Sequence, residues 1–350
     1  MRALQLVKWK SEPEIVEVDR PTAGPGQVVV RIGGAGACHS DLHLMHEFEE
    51  GAMPWSTPFT LGHENAGWVH QLGDGVTHLT VGQAVAVYGP WGCGNCARCQ
   101  LGVETYCDDV ASAPVPGGGG GLGLDGGMAE YMLVPAARLL LPLPDGLDPV
   151  HAAPLADAGL TPYHAVRRSA AKLGPTSTAV VIGVGGLGHL GVQVLKATTA
   201  ARVIAVDTRP EALALAEALG ADLCVQAGPD AAEAVRAFTG GIGVDLVCDF
   251  VGAQATMELG IQVARHLADV TVVGLGGGEV PWNFFTVPYE VSMQTTYWGS
   301  RPELAEVLEL GARGLLRPKI TTVGLDEAVD AYRAMAEGRI EGRVVVVPGS

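Results

Sequence analysis

Short apolar runs broken by turn-forming residues dominate the first part of the chain. Residues 28–32, 66–72 and 84–87 read as β strands separated by Gly and Pro, which predicts a small β-rich domain. Residues 114–127 are mostly glycine and proline and read as a mobile surface loop. The pattern changes near Asp157. From Thr178 onward strands at 179–182, 203–206, 246–249 and 270–273 alternate with helical patterns such as 187–198 and 210–219. Such alternation predicts a parallel sheet with helices on both faces. Helices are expected at 302–313 and 325–337, then a terminal strand at 343–347. That strand has no slot in the preceding alternation. It is assigned back to the first domain, which becomes discontinuous.

Bulk properties narrow the function classes. A chain of 350 residues exceeds what one hydrophobic core usually serves, so two domains fit its length. With 48% apolar and 17% charged residues it is globular in composition. A net charge of -16 lacks the basic footprint of a general nucleic-acid binder. The start MRALQLVKWK has no apolar core of signal-peptide length, and no window offers about 18 uninterrupted apolar residues. The expectation is a cytoplasmic protein with no membrane and no nucleic-acid partner. In that compartment seven cysteines read as metal ligands or core residues before disulfides.

Spacing separates those two options for four of them. Cys93, Cys96, Cys99 and Cys107 are divided by two, two and seven residues. Four thiolates close a tetrahedral shell around zinc and leave no position for substrate, and Gly92, Gly94 and Asn95 permit the tight turn this needs. An iron–sulfur cluster is the competing metal reading, and unliganded core thiols the bland one. A second candidate set is scattered: Cys38-His39-Ser40-Asp41-Leu42-His43, Gly62-His63-Glu64, and Asp157 within Leu155-Ala156-Asp157-Ala158-Gly159. Cys, His and carboxylate are all zinc ligands, and three protein ligands with one open position make a catalytic site. Each fragment alone is weak.

The strand at 179–182 runs into Gly183-Val184-Gly185-Gly186-Leu187-Gly188, a G-x-G-x-x-G between strand and helix. In that context Gly183 permits the turn, Gly185 lets a pyrophosphate approach, Gly188 lets helix and strand close, and the helix amides face the phosphates. Asp207 follows nineteen positions after Gly188. A carboxylate there accepts from ribose hydroxyls and repels a 2′-phosphate, favouring NAD; Arg209 pulls the other way. The glycine run 117–121 lacks a preceding strand and is given no phosphate role.

These fragments stand in the order found in zinc-dependent medium-chain alcohol dehydrogenases, and the chain resembles that family along nearly its whole length, the bacterial secondary-alcohol members above all. The resemblance implies an α/β protein. Its GroES-like β-rich catalytic domain would take residues 1–156 and 299–350, with a structural zinc lobe at about 91–109, and its Rossmann doubly wound NAD-binding domain residues 157–298. It implies two zinc ions per chain: Cys38, His63 and Asp157 on the catalytic one, the four clustered cysteines on the other. Many members carry Cys where Asp157 stands. Glu64 would neighbour the metal, Asp41 would orient His63, and Ser40 with His43 would form a proton relay. Thr161, Gly186, Leu187, Val251 and Val273 would adjoin the cofactor, Arg343 would reach its pyrophosphate, and His39 stands where relatives carry Arg. Leu42, Trp55, Tyr297 and Trp298 would line the pocket, although ordinary aromatic packing explains Trp55 equally well.

The implied activity is reversible hydride transfer between secondary, and some primary, alcohols and NAD, by a homodimer or homotetramer. A polyol or sugar dehydrogenase is the rival within the family; apolar pocket residues count against it. A zinc-free quinone or enoyl reductase would not need Cys38, His63 and Asp157. A non-catalytic NAD-binding zinc protein would not need Ser40 and His43.

Overall fold

A computed structural model of the protein describes residues 1–349. Two compact units partition the chain. The first comprises Met1–Leu160, Trp298–Gly314 and the segment from Pro318 onward; the second comprises Thr161–Tyr297 and Leu315–Arg317. Asp157 therefore falls in the first unit rather than opening the second.

The first unit is built on a mainly antiparallel sheet. Its strands run in the order Leu140–Pro142, Ala84–Val87, Glu64–Leu72, Val28–Ala37, Arg343–Val347 and Ile320–Gly324, with Tyr131–Val134 also paired to Val28–Ala37. The terminal strand Arg343–Val347 lies antiparallel to Val28–Ala37, with Val344 opposite Ala37, and parallel to Ile320–Gly324. Its valines are buried on both faces, which explains an apolar run without alternation. Val28–Ala37 is longer than the expected 28–32 because its glycines still pair while giving up side-chain volume. At Gly36 a Cβ would overlap the Glu64 carboxylate, so the missing side chain makes room for a charged group inside the sheet. A second sheet of Glu14–Glu17, Arg2–Leu6 and Phe59–Thr60 completes the unit's β structure, apart from a two-strand pair at Gly119–Gly120 and Gly123–Leu124.

One expectation fails here. Residues 114–127 are not a mobile surface loop: Val115 and the glycines 118–121 and 126–127 are buried against the body of the unit. Glycine in this segment serves close backbone packing, which composition alone does not distinguish from flexibility.

The second unit is a six-stranded parallel sheet in the order Leu223–Gln226, Arg202–Asp207, Thr178–Ile182, Val244–Asp249, Ala264–Val272 and Ser292–Thr295. Its core includes Val180, Ile182, Ile204, Val206, Val247 and Val270, a β-branched set that suits strands covered on both faces. The chain winds outward one way from Thr178–Ile182 and then returns to wind the other way from Val244–Asp249. Ile182 and Asp249 pair across that reversal, the point in an open α/β sheet where ligands bind. Among the described residues no helix is long and apolar enough to cross a membrane.

Candidate metal centres and dinucleotide site

Cys38 follows the strand Val28–Ala37 and stands at the N-cap of the helix His39–His46. Its backbone N–H donates to Asp41 Oδ2 at 3.0 Å, so the carboxylate that opens the helix is fixed in place. Asp41 is fully buried and faces His63, with Oδ1 3.2 Å from Nδ1. Tyr332, from the helix Ala328–Ala336, donates its hydroxyl to Asp41 Oδ2 at 2.6 Å. One carboxylate thus joins the helix start, the imidazole and a residue 291 positions away. With Nδ1 turned to Asp41, Nε2 faces the other candidate donors and sits 3.6 Å from Asp157 Oδ2.

The donor atoms of Cys38, His63, Glu64 and Asp157 all lie within 4.8 Å of one another, and all four residues are buried. Glu64 has no exposed surface and pairs with Arg343, which is 3% exposed. Burial would raise the Cys38 thiol, but the Arg343 charge and the His63 hydrogen bond outweigh it and bring the thiol down to about 7. Burial disfavours charge on His63, yet Asp41 and Asp157 hold its basicity well above the usual histidine range. Burial pushes the Glu64 carboxyl up while Arg343 pulls against it. Cys38, His63 and Asp157 offer a thiol, an imidazole nitrogen and a carboxylate in one buried cluster, donors that zinc takes together, so the set fits zinc.

Ser40 Oγ lies 3.4 Å from Cys38 Sγ. His43 follows three residues on along the same helix, with its side chain 26% exposed and Nδ1 2.7 Å from Glu47. Trp298 has a left-handed backbone at φ +53, is 4% exposed, and sets its ring edge-on to His63 at 5.7 Å. A bulky residue held in that region is strained, which marks the position as one its surroundings enforce. Trp55 packs on Trp9 and Phe59, at 5.6 and 5.4 Å between ring centroids. Leu42 is half-buried and His39 exposed on the helix beside Cys38, while Tyr297 is 47% exposed at the end of the second unit.

In the four-cysteine lobe, Cys93 and Cys99 sulfurs are 3.9 Å apart, as are those of Cys96 and Cys107. Tetrahedral bonds of about 2.3 Å to one zinc ion place sulfurs roughly 3.8 Å apart. An iron–sulfur cluster would need space for several metals and sulfides between them. The Cys99 amide, then the Asp108 amide, draws the Cys96 thiol down to about 6. Sequence reading missed the brace beneath the lobe: buried Glu104 accepts from the Gly92 amide at 3.1 Å and from Arg138, whose Nη2 also donates to the Gly92 carbonyl at 2.9 Å.

In the second unit Gly183 has φ +86, and a Cβ on it would lie 2.5 Å from Val251. A Cβ on Gly188 would overlap the Gly183 carbonyl, so this helix starts against the turn. By contrast a Cβ on Gly185 would meet nothing nearer than Arg209 Nη2 at 4.0 Å. That open face beside the first amides of the helix Gly188–Thr198 fits a pyrophosphate. Gly186 and Leu187 are half-buried between them. Asp207 is 7% exposed; Oδ2 accepts from the Val184 amide at 2.7 Å and Oδ1 from the Arg209 amide at 2.9 Å. The Arg209 side chain also turns onto Asp207, Nε to Oδ1 3.3 Å, so its charge is engaged by the carboxylate. Thr161 is buried at the start of the helix Leu160–Ser169, Val251 is 39% exposed, and Val273 is half-buried just past the strand Ala264–Val272. Arg343 opens the strand Arg343–Val347 in the first unit and pairs there with Glu64.

Comparison with known proteins agrees with this geometry. Residues 24–145 match the family model for the alcohol dehydrogenase GroES-like domain, and residues 186–313 that for zinc-binding dehydrogenases. An NAD-dependent alcohol dehydrogenase of Sulfurisphaera tokodaii is 35% identical over 99% of this chain and 100% of its own length. A D-arabinose 1-dehydrogenase (NADP(+)) of Saccharolobus solfataricus is 34% identical over 98% of this chain and 97% of its own. The crystal structure of the alcohol dehydrogenase from Aeropyrum pernix superposes with a TM-score of 0.90 at 37% identity, covering 99% of this chain and 100% of that one. The chain belongs to the zinc-dependent medium-chain alcohol dehydrogenase family.

Proposed function

We propose that the protein is an NAD-dependent alcohol dehydrogenase that interconverts secondary alcohols and ketones, with some primary alcohols and aldehydes, using one catalytic and one structural zinc per chain. The observation that carries this reading is the convergence of Cys38, His63 and Asp157 donors within 4.8 Å, backed by Asp41 and Tyr332. Zinc held there supplies a Lewis acid that lowers the pKa of an alcohol hydroxyl, and NAD supplies the hydride acceptor. Asp41 holds the His63 tautomer. Ser40, beside the Cys38 sulfur, would accept the hydroxyl proton while giving up its own toward His43. His43, partly exposed and next to Glu47, is placed to pass a proton to water. Trp298 gives the His63 side an apolar wall, which suits alkyl or aryl substituents and offers sugar hydroxyls little hydrogen bonding. Asp207 and its engaged Arg209 support NAD over NADP.

Nicotinamide absorbance tests the reading with NAD and 2-butanol, ethanol, sorbitol or D-arabinose. Fastest turnover of 2-butanol supports it; strong preference for the polyol or the aldose, or for NADP, refutes it. We further infer a homo-oligomeric cytoplasmic enzyme. Trp282, Phe284, Phe285 and Tyr289 are 49, 69, 91 and 58% exposed on the second unit, a patch of the kind that marks interfaces. All seven cysteines are free, which suits a reducing compartment. Light scattering on the purified protein tests the assembly: a dimer or tetramer supports it, a monomer refutes it.

A further inference from the structure

The glycine-rich stretch that sequence reading set aside lies directly behind the catalytic metal ligand. A Cβ on Gly121 would sit 2.5 Å from both the carbonyl carbon and oxygen of Gly62 and 2.8 Å from the His63 nitrogen. A Cβ on Gly126 would overlap the Gly62 carbonyl oxygen and lie 2.6 Å from that of Leu61. Gly62 itself is left-handed, at φ +92, with its own Cβ position 3.0 Å from the Met128 nitrogen. Three glycine backbones therefore touch at the peptide that carries His63. Hydrogen bonds lock the layers: Gly126 N–H to Thr60 O at 2.8 Å, Gly127 N–H to Gly62 O at 2.9 Å, Met128 N–H to Leu61 O at 2.9 Å, and Asn65 Nδ2 to Gly62 O at 2.8 Å. At its other end the same segment packs on Gly89. A Cβ on Gly119 would overlap the Gly89 carbonyl, and one on Gly89 would overlap the Trp298 indole, whose ring meets His63.

We propose that Gly119, Gly121 and Gly126 are positioning residues, a backbone brace that sets the His63 peptide for metal binding and the height of the Trp298 wall beside it. The proposal rests on the reading of Cys38, His63 and Asp157 as the catalytic zinc ligands. Glycine is required here because the neighbours in contact are backbone atoms, which cannot rotate away as a side-chain tip can. Gly117, in the same run, has open space around it and is not part of the brace.

The test compares Gly121→Ala and Gly119→Ala with Gly146→Ala in the full-length protein. Gly146 has φ +88 and no neighbour within 4 Å, so its variant reproduces the left-handed strain of Gly121 without the contact. Each protein is loaded with cobalt, and metal per chain and the visible ligand-field bands are followed against rising chelator. Gly121→Ala is expected to hold the catalytic-site cobalt about 10- to 100-fold more weakly with shifted bands, the loss typical of disturbing a ligand's support. Its four-cysteine site should be unchanged, and Gly146→Ala should stay within about twofold of wild type throughout.

Gly119→Ala is expected to keep the metal but alter the kcat/KM ratio between a methyl ketone and a bulky aryl ketone. A folded Gly121→Ala with wild-type retention and bands, or a Gly146→Ala that loses as much metal, overturns the proposal. Should Gly121→Ala fail to fold, Gly119→Ala decides: an unchanged ketone ratio overturns it. Cys38→Ala separates the two levels. If Cys38→Ala retains every metal equivalent, the zinc assignment fails; if it loses one while Gly121→Ala loses none, only the brace fails.

Discussion

Replacing Arg343 by Met removes one partner of a fully buried ion pair in the first unit. Arg343 is 3% exposed and Glu64 has no exposed surface, so neither charge has water to fall back on. Removing one partner of such a pair costs about 3–5 kcal/mol, because the remaining charge stays buried and uncompensated. Arg343 also draws the Cys38 thiol down, so a second acid loses its counter-charge. In the variant burial of Glu64 loses its main opposing charge while Cys38 and Asp157 still push the same way, so its carboxyl rises further above the ordinary value of about 4.5. A carboxyl with a raised folded-state pKa binds more proton folded than unfolded. Stability then falls as pH rises, by about 1.4 kcal/mol per unit between the unfolded and folded values.

Urea unfolding of the metal-free protein at pH 5 and pH 8 measures both effects. The expected result is a deficit relative to wild type that is larger at pH 8. Arg343→Met combined with Glu64→Met should recover to within about 2 kcal/mol of wild type, since an apolar pair of similar length carries no desolvation cost. A single variant within about 1 kcal/mol of wild type at pH 8, or a double variant no more stable than the single, refutes the reasoning.

Two further outcomes follow from the same contacts. Tyr332→Phe removes the hydroxyl that donates to buried Asp41, which should cost about 1.5–3 kcal/mol in chemical denaturation and lower zinc retention about tenfold, as measured by chelator competition. Asp207→Gly removes the carboxylate that holds the Arg209 guanidinium and is proposed to meet the ribose, so the kcat/KM ratio of NAD to NADP should fall at least about tenfold, and an unchanged ratio would count against Asp207 as the selector.

Chemistry confined to short stretches was legible in the sequence. The four cysteines lie within fifteen positions, and their sulfurs meet because the turns between them are local. The glycine turn was readable because a strand precedes it and a helix follows, a context the chain states within a dozen residues. The terminal strand could be assigned to the first unit only by elimination, since a run of valines does not name its partner. Other features depend on contacts between distant positions. Tyr332 reaches Asp41 across 291 residues, and nothing near residue 332 marks a tyrosine that bonds the carboxylate facing His63. Arg343 reaches Glu64 across 279 residues, a pairing set by strand register that nothing near residue 343 marks. The edge strands Leu223–Gln226 and Ser292–Thr295 went unread because they are short and half-exposed, so the apolar signal is diluted. In 114–127 glycine was taken for flexibility when it serves close packing, and the two uses look alike until the neighbouring backbone is known.

The most direct measurement is metal content per chain by mass spectrometry in wild type and Asp157→Ala, paired with alcohol-dependent NADH formation. Two zinc ions in wild type, and one in Asp157→Ala with activity lost and the fold intact, is the predicted result. An Asp157→Ala protein that keeps both metals and still oxidises alcohol would contradict a catalytic centre built from Cys38, His63 and Asp157.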